Sequence, residues 1–284
     1  MKTTLICLSL IFVFAVACHS IIDEPPDYEV MREARPVGTT KELEVEIKYS
    51  VGTLEITKAS NEDLFSFDLE HDRNRTTTKF DFSEGERASM LLDVDTRASF
   101  GSNMGRRDNN LTLRLSEKVP MTLDISSGVA ESSLDLTGMT IRRMRLRGGV
   151  GKTDVSFDKP VSEALTSLEV ESGVGELIIR GLGNARVERL DLRGGVGRTE
   201  LDYTGGFGMG RSDSTIKVGV GQIHLILPRD ADIEIQGEGS FLSNISAPSF
   251  ERNGRTYTHR GSDNGSKISI RVESGVGGVK VELI

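Results

Sequence analysis

The sequence predicts an all-β fold, a β-solenoid of single-stranded, β-helix-like coils that stack on one another. Three observations predict it: a Gly-Val-Gly motif recurs along the chain, apolar and polar residues alternate on both sides of it, and aromatic residues make up only 5% of the composition. A core that is poor in aromatic side chains must be built mainly from Val, Ile and Leu, and this suits thin, regularly stacked layers.

The Gly-Val-Gly motif is the predicted corner of each coil. Its central valines at positions 129, 150, 174, 196 and 220 are separated by 21, 24, 22 and 24 residues, so one coil takes about 22 residues. We expect the glycines to permit positive φ or close backbone approach, and each valine to point into the core. The corner residues are Gly128, Val129, Gly149, Val150, Gly151, Gly173, Val174, Gly175, Gly195, Val196, Gly197, Gly219, Val220, Gly221, Gly275, Val276 and Gly277.

Strands are predicted before and after every corner, because residues 123–125 and 134–136 and their counterparts alternate with a period of two. Coils stacked about 4.8 Å apart would place like side chains over one another. The polar members of the strands should then form charged ladders on the outside: Arg145, Arg147, Glu169, Glu171, Asp191 and Arg193.

The first residues predict export. The apolar run over 5–17 is too short for a membrane-spanning helix, which needs about 20 apolar residues. The small residues before Cys18 resemble the lipobox of bacterial lipoproteins, although Ala15 stands where leucine is usual. We predict a lipoprotein signal peptide over 1–17 and lipidation of Cys18; the alternative is an ordinary cleaved signal that happens to hold a cysteine.

The rest of the chain divides into three predicted regions: the lipidated cysteine and a tether over 18–37, an N-terminal β region over 38–125, and the repetitive solenoid over 126–284. The charged tether could also cover one end of the sheet. Strands are expected at 64–69, 78–82 and 111–115, with a mobile loop over 83–110. A degenerate coil around Ile233 and Ile235 precedes a polar excursion over 249–267.

The succession of strand, Gly-Val-Gly and strand over about 41–284 resembles the toast-rack family, which is found in cell-wall-active-antibiotic response proteins. It is also similar to related bacterial repeat proteins of the adhesin type. The resemblance implies no catalytic residues. Family members often carry transmembrane helices before this region, whereas Cys18 takes that place here, which argues against a signalling role that depends on such helices.

Composition excludes several kinds of partner. A net charge of −8 argues against nucleic acid and against electrostatic adsorption to anionic lipid. The two cysteines are Cys7 and Cys18, so the processed chain would hold no thiol for a disulfide or a cysteine-based metal site. The histidines are dispersed, and His224 is expected to face solvent. We therefore predict no metal and no cofactor.

Three glycine-rich motifs are interpreted as structural. Residues 148–153 resemble the end of a phosphate-binding loop, but Leu146 stands where that loop needs glycine, and 194–199 repeat the pattern. A calcium-binding nonapeptide would need aspartate where Thr153 stands. Residues 205–210 are interpreted as a flexible return loop.

The sequence favours a non-enzymatic, lipid-anchored cell-envelope protein that acts as an interaction surface, either adhesin-like or in the cell-wall stress response. Its partner would be an envelope protein or a glycan, and self-association is open. His19 and Ser20 follow Cys18, which favours the outer membrane or cell surface over the inner membrane. The alternatives are a polysaccharide-active β-helix enzyme, with Arg145, Arg147 and Arg193 as a basic stripe, and a self-assembling structural protein.

The expected partner-binding loop lies in the second excursion. It combines aromatic and arginine side chains, which are enriched at binding hot spots. The alternative is that Phe250 and Tyr257 only hold the loop against the solenoid. The candidate residues are Phe250, Arg252, Arg255, Tyr257 and Arg260.

Overall fold

A computed structural model describes residues 25–60, 62–97, 109–206, 210–238, 243–262 and 265–284. The secondary structure within these ranges is entirely β. The strands are β1 (Tyr28–Pro36), β2 (Glu42–Lys58), β3 (Asp63–Asp72), β4 (Thr76–Ser83), β5 (Arg87–Thr96), β6 (Asn109–Leu115), β7 (Met121–Asp135), β8 (Ile141–Ser156), β9 (Ser167–Arg180), β10 (Arg189–Asp202), β11 (Arg211–Leu227), β12 (Asp232–Glu238), β13 (Ser243–Ser246), β14 (Glu251–Asn253), β15 (Thr256–His259) and β16 (Lys267–Leu283).

Seven long strands form the body of the molecule. β2, β7, β8, β9, β10, β11 and β16 pair side by side in this order, and every pairing is parallel. Each strand runs without interruption through its Gly-Val-Gly corner or the equivalent position. The predicted stack of coils is therefore confirmed, with one long strand as one rung of the stack.

The burial pattern changes parity at each corner. In β9 the buried residues Leu168 and Val170 lie an even number of positions before Val174, whereas Leu177 and Ile179 lie an odd number after it. Because alternate residues of a strand face opposite sides, this change lets both halves of the strand turn apolar side chains toward one core. The sheet is thus folded along the corners.

The N-terminal end of the stack is antiparallel and aromatic. The first half of β2 pairs with β5, which pairs with β4, and its second half pairs with β6, which leads to β3 and β1. Between these two branches Phe65 packs edge to face against Phe82, with ring centroids 5.2 Å apart, and Phe67 packs in the same way against Phe80. The predicted strands at 64–69, 78–82 and 111–115 are confirmed.

Two predictions for this end are wrong. Residues 28–36 form strand β1 and not a tether, because they pair along their length with β3 and cover its edge. The predicted loop over 83–110 contains β5, whose Met90, Leu92 and Val94 are buried. The predicted boundary at 125/126 falls inside β7, so the two β regions share one sheet.

The C-terminal end is closed by shorter strands. β12 and β13 pair in parallel with the two halves of β16, which confirms the degenerate coil around Ile233 and Ile235. The excursion over 249–267 holds the hairpin β14–β15, and β15 pairs antiparallel with β12. The signal peptide and Cys18 lie outside the described residues. None of the described segments forms an apolar helix of membrane-spanning length.

Candidate interaction surface

A row of valines crosses the outside of the folded sheet. The strand register places Val51, Val129, Val150, Val174, Val196, Val220 and Val276 next to one another in this order. Val51 is half-buried, and the other six are 44–51% exposed. These six, from Val129 to Val276, are called the valine ridge below. With about 4.8 Å between strands, the ridge is roughly 24 Å long.

The ridge corrects the prediction that the corner valines point inward. At the bend the flanking glycines face the neighbouring rung: a Cβ on Gly173 would lie 2.2 Å from the Gly149 carbonyl oxygen, and one on Gly175 would lie 1.8 Å from that of Gly151. Gly175 also has φ of +139°, which L side chains rarely adopt. Only the central residue of the corner has room for a side chain, and that room is on the convex, outer side.

The other corners repeat this crowding. A carbonyl oxygen of the preceding rung would lie 1.7–2.9 Å from a Cβ at Gly128, Gly149, Gly151, Gly195, Gly197, Gly219, Gly221, Gly275 and Gly277. The glycines predicted as corners are therefore required by backbone packing between rungs. The valines between them are not.

Charged side chains line the ridge on both sides and confirm the predicted ladders. The leading row consists of the charged residues three positions before the valines: Arg147, Glu171, Arg193, Lys217 and Glu273. The trailing row consists of the charged residues two positions after the valines: Glu131, Lys152, Glu176 and Arg198. Along the leading row Arg193 lies 3.5 Å from Glu171. Along the trailing row Lys152 and Arg198 lie 3.6 and 3.5 Å from Glu176. Exposed pairs of this kind contribute little to stability, about 0–1 kcal/mol each.

The basic stripe expected for a polysaccharide-active enzyme is neutralised by carboxylates. Arg145 donates to Glu169 at 2.9 Å and lies 3.3 Å from Asp124. The hydrogen bond to Glu169 raises the pKa of Arg145 above its ordinary value. Arg147 also lies 3.3 Å from Asp124. The stripe therefore carries no surplus of positive charge to hold an acidic polysaccharide.

His224 lies on the outward face of β11, as expected, and is half-buried there between two carboxylates. Its ring nitrogens lie 3.3 Å from Glu200 and 3.2 Å from Glu282. Burial raises the pKa of Glu200, but hydrogen bonds from Arg198 and His224 outweigh burial and lower the pKa below its ordinary value. Hydrogen bonds from Lys280 and His224 lower the pKa of Glu282. Among the described residues, no group of three or more His, Cys, Asp or Glu is arranged to hold a metal ion.

The candidate partner-binding residues are split between core and surface. Tyr257 is 7% exposed and belongs to the hydrophobic core, and the half-buried Phe250 packs against that core and against His259, with 5.6 Å between ring centroids. Arg252 lies over the Tyr257 ring at 5.5 Å from its centroid. Arg255 and Arg260 are exposed. The aromatic side chains therefore hold the hairpin on the sheet, as in the alternative interpretation.

The glycine-rich motifs that resemble ligand-binding loops are part of the β-scaffold where the structure describes them. Residues 148–153 lie within β8 and pair with β7 and β9 on either side, so they form a corner and not a phosphate-binding loop. Of the glycine-rich stretch over 205–210, positions 207–209 lie outside the described residues. Sequence reasoning missed the exposure of the corner valines. The signal for it is that the buried apolar residues lie at even distances before each valine and at odd distances after it.

Comparison with solved structures finds proteins of low overall similarity to this chain. A protein from Clostridium sporogenes, provisionally named a cell adhesion protein, is 16% identical with a TM-score of 0.46; the match covers 92% of this chain and 100% of that one. A provisionally named adhesin from Bacteroides fragilis is 14% identical with a TM-score of 0.41, covering 90% of this chain and 98% of that one. No curated protein is similar enough to count as a match.

A family model gives a more specific result. The model described as the N-terminal domain of toast_rack, DUF2154, matches residues 26–180. This span begins just before β1, ends with β9 and includes the aromatic N-terminal end and the first exposed corners. Because it covers more than half of the 284 residues, the chain belongs to the toast-rack family.

Proposed function

We propose that this chain is a non-enzymatic, lipid-anchored protein of the bacterial cell envelope that binds its partner through the valine ridge. The observation that carries the proposal is the exposure of six apolar side chains in one row. The described residues include eight exposed large hydrophobic side chains, and six of them form this row. The largest contiguous apolar patch on a protein surface is often its interaction site.

The folding of the corner does not account for valine at its centre. The central side chain points outward, so its burial contributes little to the core. Strand propensity favours β-branched residues, but threonine has a comparable propensity and would leave a polar surface. All seven rungs nevertheless carry valine at this position. A partner that removes the valines from water explains why an apolar side chain stands there.

The scaffold supports this role because it holds the ridge valines in a fixed arrangement. The rungs pair in register along both halves of every long strand, and their inner faces share one core. A rigid apolar row loses little conformational entropy on binding. Lipid attachment at Cys18 would place the surface at the membrane. An adhesin-like role and a role in the cell-wall stress response both require such a displayed surface.

The test is site-specific photo-crosslinking in cells. A photoreactive phenylalanine analogue is placed at Val174 or Val196 in the full-length protein, and the matched control carries it at Thr77, which is exposed on β4, a strand that carries no ridge valine. We expect adducts from both ridge positions at several times the control yield. Equal yields from the three positions, or no ridge adducts, would contradict the proposal.

A further inference from the structure

The charges beside the valine ridge alternate over three consecutive rungs. Val150 has a basic residue on each side, Val174 an acidic residue on each side, and Val196 again a basic residue on each side. The three flanking pairs are Arg147 and Lys152, Glu171 and Glu176, and Arg193 and Arg198. Since the leading and trailing rows carry the same sign at each of these three rungs, this part of the surface can be tested for complementarity to a second copy of itself.

A second copy stacked ridge to ridge in a parallel, in-register manner would be repelled. In that arrangement the leading row of one copy faces the trailing row of the other at the same rung. Arg147 would then face Lys152 of the second copy, and Glu171 would face Glu176. Like charges placed opposite one another suppress an association.

An antiparallel arrangement reverses the outcome. A two-fold axis that passes between the rungs of Val150 and Val174 sets each row against the same row of the second copy in reversed order. Val150 then meets Val174, and Val129 meets Val196. The opposite-charge pairs, each formed twice, are Arg147 with Glu171, Lys152 with Glu176, and Glu131 with Arg198.

Neighbouring registers form fewer opposite-charge pairs. An axis through the rung of Val174 would set Arg147 against Arg193. An axis between the rungs of Val174 and Val196 would set Arg147 against Lys217. In the favoured register the one like-charged pair in these two rows is Lys48 with Lys217, near the end of the contact.

We propose that a second copy of this chain covers the valine ridge, antiparallel to the first, about a two-fold axis between the rungs of Val150 and Val174. This inference rests on the proposed function, in which the ridge is the binding surface, and it names the partner. The valines supply the apolar contact, and the alternating charges determine the register. Such an isologous interface closes on itself and yields a dimer.

Disulfide crosslinking tests the register in the membrane-bound, full-length protein. Val129→Cys and Val196→Cys, each with a different tag, are expressed together and oxidised, with the unsubstituted chain as the control for Cys7 and Cys18. We expect a dimer carrying both tags at tenfold or more the yield of Val129→Cys alone. In the proposed register the two copies of residue 129 are three rungs apart, roughly 14 Å, whereas a disulfide needs Cα atoms within about 7 Å.

Charge reversal tests the same contact without a covalent bond. Lys152→Glu and Glu176→Lys should each weaken self-association on the order of tenfold, because each sets two like-charged pairs across the interface. An equimolar mixture of the two variants should restore it, since each then faces the opposite charge. A folding defect would not be repaired by mixing. Lys79→Glu, an exposed reversal on β4, serves as the matched control.

Three outcomes would overturn the inference: efficient crosslinking of Val129→Cys with itself, more efficient crosslinking of Val129→Cys with Val276→Cys, or no dimer in any combination. If no dimer forms while photo-crosslinking at Val174 yields adducts with another protein, the proposed function stands and this inference fails. If ridge positions yield no adducts of any kind, both fail.

Discussion

Single residues at the corner differ in what their Cβ atom would meet. At Gly173 and Gly175 it would meet the carbonyl oxygen of the neighbouring rung, whereas at Val174 it meets solvent. At the two glycine positions, steric overlap with the neighbouring backbone excludes larger residues. At the valine position the fold imposes no such limit, so function determines the residue. A substitution at Gly173 or Gly175 should therefore lower stability, whereas a substitution at Val174 should weaken binding and leave stability nearly unchanged.

We predict that Gly175→Ala lowers the free energy of unfolding by at least about 2 kcal/mol, because the added Cβ would overlap the Gly151 carbonyl oxygen and the backbone would keep a positive φ. Val174→Ser is the matched control and should change it by roughly 0.5 kcal/mol. Urea unfolding followed by circular dichroism measures both. Val174→Asp should likewise be tolerated by the fold. A large loss of stability in either Val174 variant would show that the valine is buried.

The elements of the sheet end in two different ways. At the N-terminal end the antiparallel branches enclose a cluster of phenylalanines, and β1 covers the edge of β3. At the C-terminal end the hairpin β14–β15 covers the edge of β12 through β15. An uncovered edge strand offers unpaired N–H and C=O groups to other chains, so both ends protect the sheet from aggregation.

We predict that Tyr257→Ala destabilises the protein by about 3 kcal/mol, because the ring is part of the core and holds β15 on β12. Exposure of the β12 edge should also increase aggregation on heating. Arg255→Ala, an exposed change in the same hairpin, should stay within about 0.5 kcal/mol of the wild type. Differential scanning calorimetry with light scattering separates the two. Equal melting temperatures would mean that the hairpin is only a surface loop.

The molecule as a whole is one folded sheet, and the proposed binding surface runs along the fold line. Stability in such a stack is a sum of rungs and of contacts between neighbouring rungs. A ridge that runs perpendicular to the strands can therefore lengthen or shorten by whole rungs without a change in its cross-section. The proposed lipid anchor, Cys18, precedes β1 in the sequence.

We predict that Cys18→Ser releases the protein from the membrane fraction or leaves its signal peptide uncleaved, because acyl chains on this residue would supply the attachment. Fractionation and the apparent mass of the full-length protein measure the two results. The control is Cys7→Ser, which lies inside the segment that would be removed and should change neither. Unchanged processing and membrane partitioning of the Cys18 variant would exclude lipid anchoring.

The sequence by itself determined the repeat, the strands on either side of each corner and the charged ladders. Each of these follows from spacing along the chain: about 22 residues between corners and a period of two within strands. The tertiary structure decided which way Val174 points. In the first half of the strand every second residue faces the core, and this alternation would place Val174 inside; it is broken at the bend, where the glycines face the neighbouring rung and Val174 faces outward. It also decided that residues 28–36 pair with β3 and that Tyr257 is in the core. Antiparallel pairing between distant segments leaves no periodic signal in the sequence; only packing against the finished sheet selects it.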